Sequence, residues 1–275
     1  MPEFGKYTKE LKKLIDDAGH ILLICHINPD GDAIGAMLAL RRWIISRGKD
    51  AAMISPNALQ KFLLWMNEVD KVVDFHHNPA EGTRLINNAD LIIMVDFNTT
   101  SRMGKAESLI VSSGARKVMI DHHPDPSVIA DLTVSDVSRS STSELVYFLV
   151  NGMEGSEFND SDFITAVYVG IITDTGNFEH GYYTGDTMRT VGHLLDMGVD
   201  KEKVFNHIFS NFSPDRIRLK GFALHSRMVV HPELHTAYIW LTKEDLDRFH
   251  HVKGDTEGFA NVLLTMNGIV LSVLF

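Results

Sequence analysis

Three short apolar runs, each stopping at an ionisable side chain, constrain this chain more than any other feature. They are Ile21-Leu22-Leu23-Ile24-Cys25 before His26, Leu91-Ile92-Ile93-Met94-Val95 before Asp96, and Val118-Met119-Ile120 before Asp121. Runs of that length, the first preceded by Gly19, read as buried strands. Helical patterns lie among them: residues 8–18 carry Leu11, Leu14 and Ile15 at helical spacing, and Ala33 to Arg47 is closed by Gly48. Strands alternating with helices predict a parallel α/β sheet flanked by helices. In such sheets ligands gather at the carboxyl ends of the strands, where the polar clusters of this sequence fall.

Further along, 141–151 reads as a helix opened by Ser141-Thr142-Ser143-Glu144, which has capping-box spacing. Ser161 to Thr173 reads as another, although Ala166 to Ile172 fits a strand equally well by periodicity. Thr187 to Met228 is helical, broken by Gly198 and Pro214, and reads as a connector. From Val229 the pattern changes to strands at Val229–Pro232 and Thr236–Leu241 and a short helix at Lys243–Phe249. The predicted organisation is a catalytic lobe at 1–190, a helical linker at 191–228 and the start of a smaller α/β lobe at 229–275. That lobe stops on an apolar strand-like run, Gly268 to Phe275, which is read as an incomplete copy of a longer chain.

At about 150 residues per domain, 275 residues predict two domains with a real core. An apolar fraction of 44 % excludes a disordered or low-complexity chain. Cys25 stands alone, which excludes a disulfide framework and a cysteine-rich zinc site and fits a reducing cytoplasm. Met1 to Lys6 hold no apolar signal core, and no run of about 18 apolar residues predicts a membrane span. A net charge of −10 makes the chain a poor generic binder of long nucleic acid. An anionic substrate would have to be neutralised by something other than side-chain charge.

Four clusters carry the chemistry: His26-Ile27-Asn28-Pro29-Asp30-Gly31-Asp32, then Asp96, then Asp121-His122-His123-Pro124, then Thr173-Asp174-Thr175-Gly176. Any one has an ordinary explanation; Asp32, for example, could cap the helix beginning at Ala33. Capping does not account for all four together. Carboxylates and imidazoles without thiolates suit manganese or magnesium better than structural zinc. Two such ions sharing a carboxylate can activate water and stabilise both oxygens of a phosphoryl displacement. They also reverse the local sign, so that an acidic protein can hold a phosphate.

In this order the four clusters resemble the DHH phosphoesterase family, named for the triplet seen at Asp121-His122-His123. The resemblance covers about residues 1–190. Thr173-Asp174-Thr175-Gly176-Asn177-Phe178 and Val252-Lys253-Gly254-Asp255-Thr256-Glu257-Gly258-Phe259 are most similar to the family's short-oligoribonucleases that also dephosphorylate 3′,5′-bisphosphoadenosine. The resemblance implies a parallel-sheet lobe, a linker helix and a smaller C-terminal lobe. It implies two manganese ions, with magnesium or cobalt as substitutes. His26, Asp30 and Asp96 would hold one ion, and Asp32, Asp96, His122 and Asp174 the other. His123 would face the scissile phosphate as a donor or acid, and Asp121 would orient a neighbour. The family's small lobe also carries a Gly-Gly-Gly-His substrate motif, and no such run occurs in these residues.

The implied substrates are short RNA, dinucleotides and a nucleoside bisphosphate, with no membrane partner. Alternatives are a family II-type inorganic pyrophosphatase and a metal-dependent nucleotide-binding module without turnover. A processive exonuclease would need a long basic groove, against which the charge argues. An apolar edge or a linker-helix face could support a homodimer. Arg102, six residues past Asp96, is a candidate phosphate contact, with a solvated arginine as the ordinary reading. Arg41-Arg42 reads as a solvated helix face, His76-His77 as an exposed loop, and Cys25 as a buried strand residue. Phe205, Phe209 and Phe212 read as packing, with base stacking as the alternative.

Overall fold

The computed structural model describes residues 5–179, 181–252 and 254–275. The opening Met1–Phe4 and Lys253 of the small-lobe stretch lie outside the described residues. By packing, the chain divides after Ile208 into two units, the second being Phe209–Phe275.

The first unit is built on β1 (Ile21–Ile24), β2 (Ala51–Ser55), β3 (Val72–Asp74), β4 (Leu91–Val95), β5 (Arg116–Asp121) and β6 (Leu132–Ser135). They form one sheet in the order β3-β2-β1-β4-β5-β6, and every neighbouring pair is parallel. The helices are α1 (Gly5–Asp17), α2 (Gly31–Ser46), α3 (Pro79–Asn88), α4 (Glu107–Ser112), α5 (Thr142–Glu154), α6 (Ser161–Asp174), α7 (Gly185–Asp196) and α8 (Lys201–Phe209). All residues of β1 and β4 are buried, as strands covered on both faces require. Leu22, Ile24, Ile92 and Met94 pack with Ile86 of α3 and Ile110 of α4. Alternation along a strand sends Leu23 and Ile93 to the opposite face, on the side of α2, α5 and α6.

That order reverses the direction of winding between β1 and β4. The crevice at the carboxyl ends of those two neighbours is the topological switch point of a doubly wound sheet. The residues after β1 and β4 therefore meet there, whatever their separation in sequence.

Ala166 to Ile172 belongs to a helix, since α6 runs from an Asp160 cap to Asp174. Its apolar residues reach all round the helix because it is enclosed by α2 and α5. A Cβ on Gly35 of α2 would stand 2.5 Å from the Ala166 carbonyl of α6, so only glycine permits this approach. Arg41 corrects the reading of a solvated face. It is 5 % exposed, donates to the Ala51 carbonyl at 2.9 Å and pairs with Glu68 and Asp50. Arg42 pairs with Asp160. Cys25 is fully buried and His76 and His77 are exposed, as expected.

The second unit contains α9 (Pro214–Ser226), β7 (Met228–His231), β8 (Thr236–Ile239), α10 (Lys243–Arg248), α11 (Phe259–Leu263) and β9 (Leu271–Leu274). β8 is central, antiparallel to β7 and parallel to β9. Leu219, Ala223, Ala237, Ile239, Phe259 and Leu263 make its core. Phe205 and Phe212 are about two-fifths exposed, and the Arg216 guanidinium lies over the Phe212 ring at 3.5 Å. Among the described residues no helix is long and apolar enough to cross a membrane.

Candidate metal centre

Five elements of the first unit converge on one cluster. His26 follows β1, Asp96 follows β4, and Asp121 is the last residue of β5, with His122 and His123 behind it. Asp30 and Asp32 come from the start of α2, and Asp174 from the end of α6. Asp30, not Asp32, caps α2, its Oδ1 accepting from the N–H groups of Asp32 and Ala33 at 3.0 Å each. Its Oδ2 is left to face His26 Nε2 at 3.7 Å. Asp32 sits inside the first turn, fully buried, with its Oδ2 4.0 Å from His122 Nε2.

The donor atoms fall into overlapping groups, each within 4.8 Å: His26, Asp30 and Asp96; Asp32, His122 and Asp174; and Asp96, His122 and His123. His26 Nε2 lies 3.4 Å from Asp96 Oδ2. His122 Nε2 lies 3.5 Å from Asp174 Oδ2, 3.7 Å from Asp96 Oδ1 and 4.0 Å from Asp32 Oδ2. Most of these separations exceed hydrogen-bond length. Atoms that share one cation stand about this far apart, since each lies about 2.1 Å from the ion.

The histidines are oriented for this. His26 Nδ1 lies 2.8 Å from the Ile27 carbonyl and His122 Nδ1 3.3 Å from the Arg139 carbonyl, so the proton on each Nδ1 faces a backbone acceptor. Each Nε2 is thereby turned as a lone pair toward carboxylates, the arrangement common to metal-binding histidines. His26 Nε2 is buried and has no hydrogen-bond partner. Facing two carboxylates, Nε2 either carries a proton or serves as a lone-pair ligand to a cation held between them. His123 Nδ1 lies 2.7 Å from Asp121 Oδ1, and the His123 side chain is about one-third exposed.

Without a cation the cluster draws in protons. Burial alone would lower the pKa of His26, but Asp30 and Asp96 raise it to about 10. Burial, then the negative charge of Asp32, pushes Asp96 well above the carboxylate range. Burial followed by Asp32 and Asp30 takes Asp174 up to about 8. For Asp30, His26 and two backbone N–H groups outweigh burial and hold the carboxyl low. Burial pushes the Cys25 thiol up, so no thiolate competes as a ligand.

The backbone is bent to fit. Asp96 has φ +65°, and Gly176, Asn177 and Phe178 just after Asp174 have φ of +53°, +56° and +66°. Left-handed backbone at non-glycine residues costs of order 1–3 kcal/mol and collects at functional sites.

Sequence reasoning missed Thr142 and Ser143. Their N–H groups chelate Asp32, Thr142 to Oδ2 at 2.6 Å and Ser143 to Oδ1 at 2.8 Å, and the Thr142 hydroxyl donates to Asp96 Oδ1 at 2.9 Å. Their signal was the capping motif, which covers only part of what they do. Ser141 Oγ accepts from Glu144 N–H, but the Glu144 carboxylate turns to Ser140 instead of closing the box. Arg102 approaches through its backbone, its carbonyl accepting from Ile27 N–H at 2.7 Å. Among the described residues its guanidinium has no hydrogen bond or ion pair.

Residues 20–171 match the profile of the DHH family, N-terminal domain. The bifunctional oligoribonuclease and PAP phosphatase NrnA of Bacillus subtilis is 27 % identical over 272 residues, covering 97 % of this chain and 80 % of that protein. The Thermus thermophilus protein of the same name is 28 % identical over 271 residues, covering 98 % of this chain and 75 % of that one. The crystal structure of an exopolyphosphatase-related protein from Bacteroides fragilis superposes with a TM-score of 0.91 at 32 % identity, covering 96 % of this chain and 77 % of that one. The chain thus belongs to the DHH family, and is a phosphoesterase hydrolase.

Proposed function

We propose that the chain is a manganese-dependent phosphohydrolase. It cleaves short oligoribonucleotides and dinucleotides to mononucleotides and removes phosphate from 3′,5′-bisphosphoadenosine. The observation that carries this reading is Asp96, whose two oxygens face two different groups of ligand atoms. His26, Asp30 and Asp96 would hold one ion, and Asp32, Asp96, His122 and Asp174 the other. The hard oxygen and imidazole donors suit manganese, with magnesium or cobalt as substitutes. When bound, such ions supply an activated water at neutral pH and offset phosphoryl charge.

The rest is done by side chains of this chain. His123, the more exposed of the histidine pair, faces the scissile phosphate as a hydrogen-bond donor or acid. Asp121 accepts from His123 Nδ1–H, which fixes the ring. Arg102 is the candidate for a substrate phosphate, and 229–275 is the start of the substrate-binding lobe. The names of the two NrnA relatives support the choice of substrates.

The test uses the purified chain with manganese and four substrates: a short labelled RNA, linear diadenylate, 3′,5′-bisphosphoadenosine and pyrophosphate. Release of mononucleotides and of phosphate from the bisphosphate is expected, with both lost in Asp96→Ala. Full activity in that variant would refute the shared-carboxylate reading. Hydrolysis of pyrophosphate alone would move the chain to the pyrophosphatases.

A further inference from the structure

We propose that Thr142 is a positioning residue that divides the Asp96 carboxylate between the two cation sites. The inference rests on the two-ion reading above. Asp96 Oδ2 faces His26 Nε2 at 3.4 Å, while Oδ1 faces His122 Nε2 at 3.7 Å and His123 Nδ1 at 3.9 Å. The last torsion of an aspartate is broad, so nothing intrinsic to the side chain fixes its plane in that division. The Thr142 hydroxyl supplies the constraint. It has one proton, and donates it to Asp96 Oδ1 at 2.9 Å with both residues buried.

The same residue also reaches the second carboxylate. Thr142 N–H donates to Asp32 Oδ2 at 2.6 Å, and Ser143 N–H donates to Asp32 Oδ1 at 2.8 Å. One turn of α5 therefore sets a ligand from α2 against a ligand from the end of β4. Hydrogen bonds to an ionised acceptor are the stronger kind. These leave Asp32 Oδ2 and Asp96 Oδ1 on the side of His122.

The turn itself is anchored. Glu144 is 1 % exposed, and its Oε2 accepts from the Ser140 N–H at 2.7 Å, the Ser140 hydroxyl at 2.9 Å and Thr187 of α7 at 3.3 Å.

The experiment is a manganese titration by calorimetry without substrate, on the wild type, Thr142→Val and Thr142→Ser. The valine variant keeps shape and both backbone donors and loses only the hydroxyl. The wild type should bind two ions. Valine should weaken the site of Asp32, His122 and Asp174 by about 10–100-fold, as loss of an outer-shell partner does. The site of His26, Asp30 and Asp96 should be retained, and serine should restore both. Metal-free melting curves that coincide would show that the valine variant is folded. If it is not folded, Thr142→Ala carries the same expectation. A valine isotherm matching the wild type overturns the proposal, and so does a serine variant as weak as valine. A wild type that takes up no divalent ion refutes the two-ion reading itself, a different result from either.

Discussion

Gly170→Ala places one methyl group at the most crowded point behind the candidate site. Gly170 lies on α6, and a Cβ there would fall on the Ser143 side chain, closer than real carbon contacts come, and 2.7 Å from Asp32 Oδ1. In an open helix the substitution would gain about 1 kcal/mol of propensity. Here it forces α5 or α2 to give way, and overpacking of this kind costs about 1–3 kcal/mol. Ser143 cannot move without loosening its N–H from Asp32, a bond to a charged group worth about 1.5–3 kcal/mol. The three figures leave a net loss of roughly 1.5–5 kcal/mol. Denaturant unfolding of the metal-free chain reads that loss, and a manganese titration reads the disturbed Asp32. Gly192→Ala on α7 is the control, since a Cβ there meets nothing within 4 Å and should be neutral or stabilising. A Gly170→Ala variant as stable as the wild type, with unchanged manganese affinity, would refute the crowding argument.

Asp174→Asn should stabilise the metal-stripped chain with a defined pH dependence. The native carboxyl titrates near 8 against 3.8 when unfolded, so ionisation opposes folding as pH rises through that window. The melting temperature of the variant should match the wild type near pH 4 and exceed it at pH 8; parallel curves would refute the shift. Asp30→Ala should lose about 1 kcal/mol of stability with the α2 cap, whereas Asp30→Asn keeps the cap acceptor. Both should bind manganese weakly, and unfolding curves beside titrations separate the two roles. Arg41→Ala should cost about 3 kcal/mol, because it strips a buried guanidinium from Glu68 and the Ala51 carbonyl. Arg41→Lys should not restore it, for an ammonium cannot span the same acceptors, and equal unfolding midpoints for Lys and the wild type would count against this.

The convergence of His26, Asp96 and Asp121 was legible because β1, β4 and β5 are neighbours buried on both faces. Residues past their carboxyl ends have only one edge of the sheet to occupy. β3 and β6 were not legible. The first has three half-buried residues and the second alternates burial, as edge strands do, so neither leaves an apolar run. Arg41 and Arg42 look like a polar face in sequence because their acidic partners are 27 and 118 residues away. Thr142 was hidden in the same way. Its cap spacing is local, but the carboxylates it holds are 110 and 46 residues distant. The cap of α2 falls on Asp30 rather than Asp32 for a subtler reason. Either can cap a helix, and the helix begins at Gly31 rather than Ala33, which puts Asp30 at the cap and Asp32 inside the first turn.

The strain and the titration at this site have one cause. Asp30, Asp32, Asp96 and Asp174 are brought to two histidine Nε2 atoms, with Asp32 and Asp96 fully or almost fully buried. Asp96 is there only because the chain turns through φ +65° as it leaves β4. The shifts of His26, Asp96 and Asp174 run toward holding a proton; Asp30 is exempt because His26 faces it and, secondarily, because the start of α2 donates two N–H groups to it. Asp32 likewise has two donors from the start of α5. The backbone thus supplies partial positive charge to one carboxylate in each of two ligand groups and leaves Asp96 and Asp174 short of it. A fold selected for stability alone would not bury carboxylates so placed, since removing one or making it neutral would stabilise it. The charge deficit falls on the residue that joins the two groups and on the far end of the second. Those are the places where full cationic charge, not a proton or a helix terminus, would complete the site.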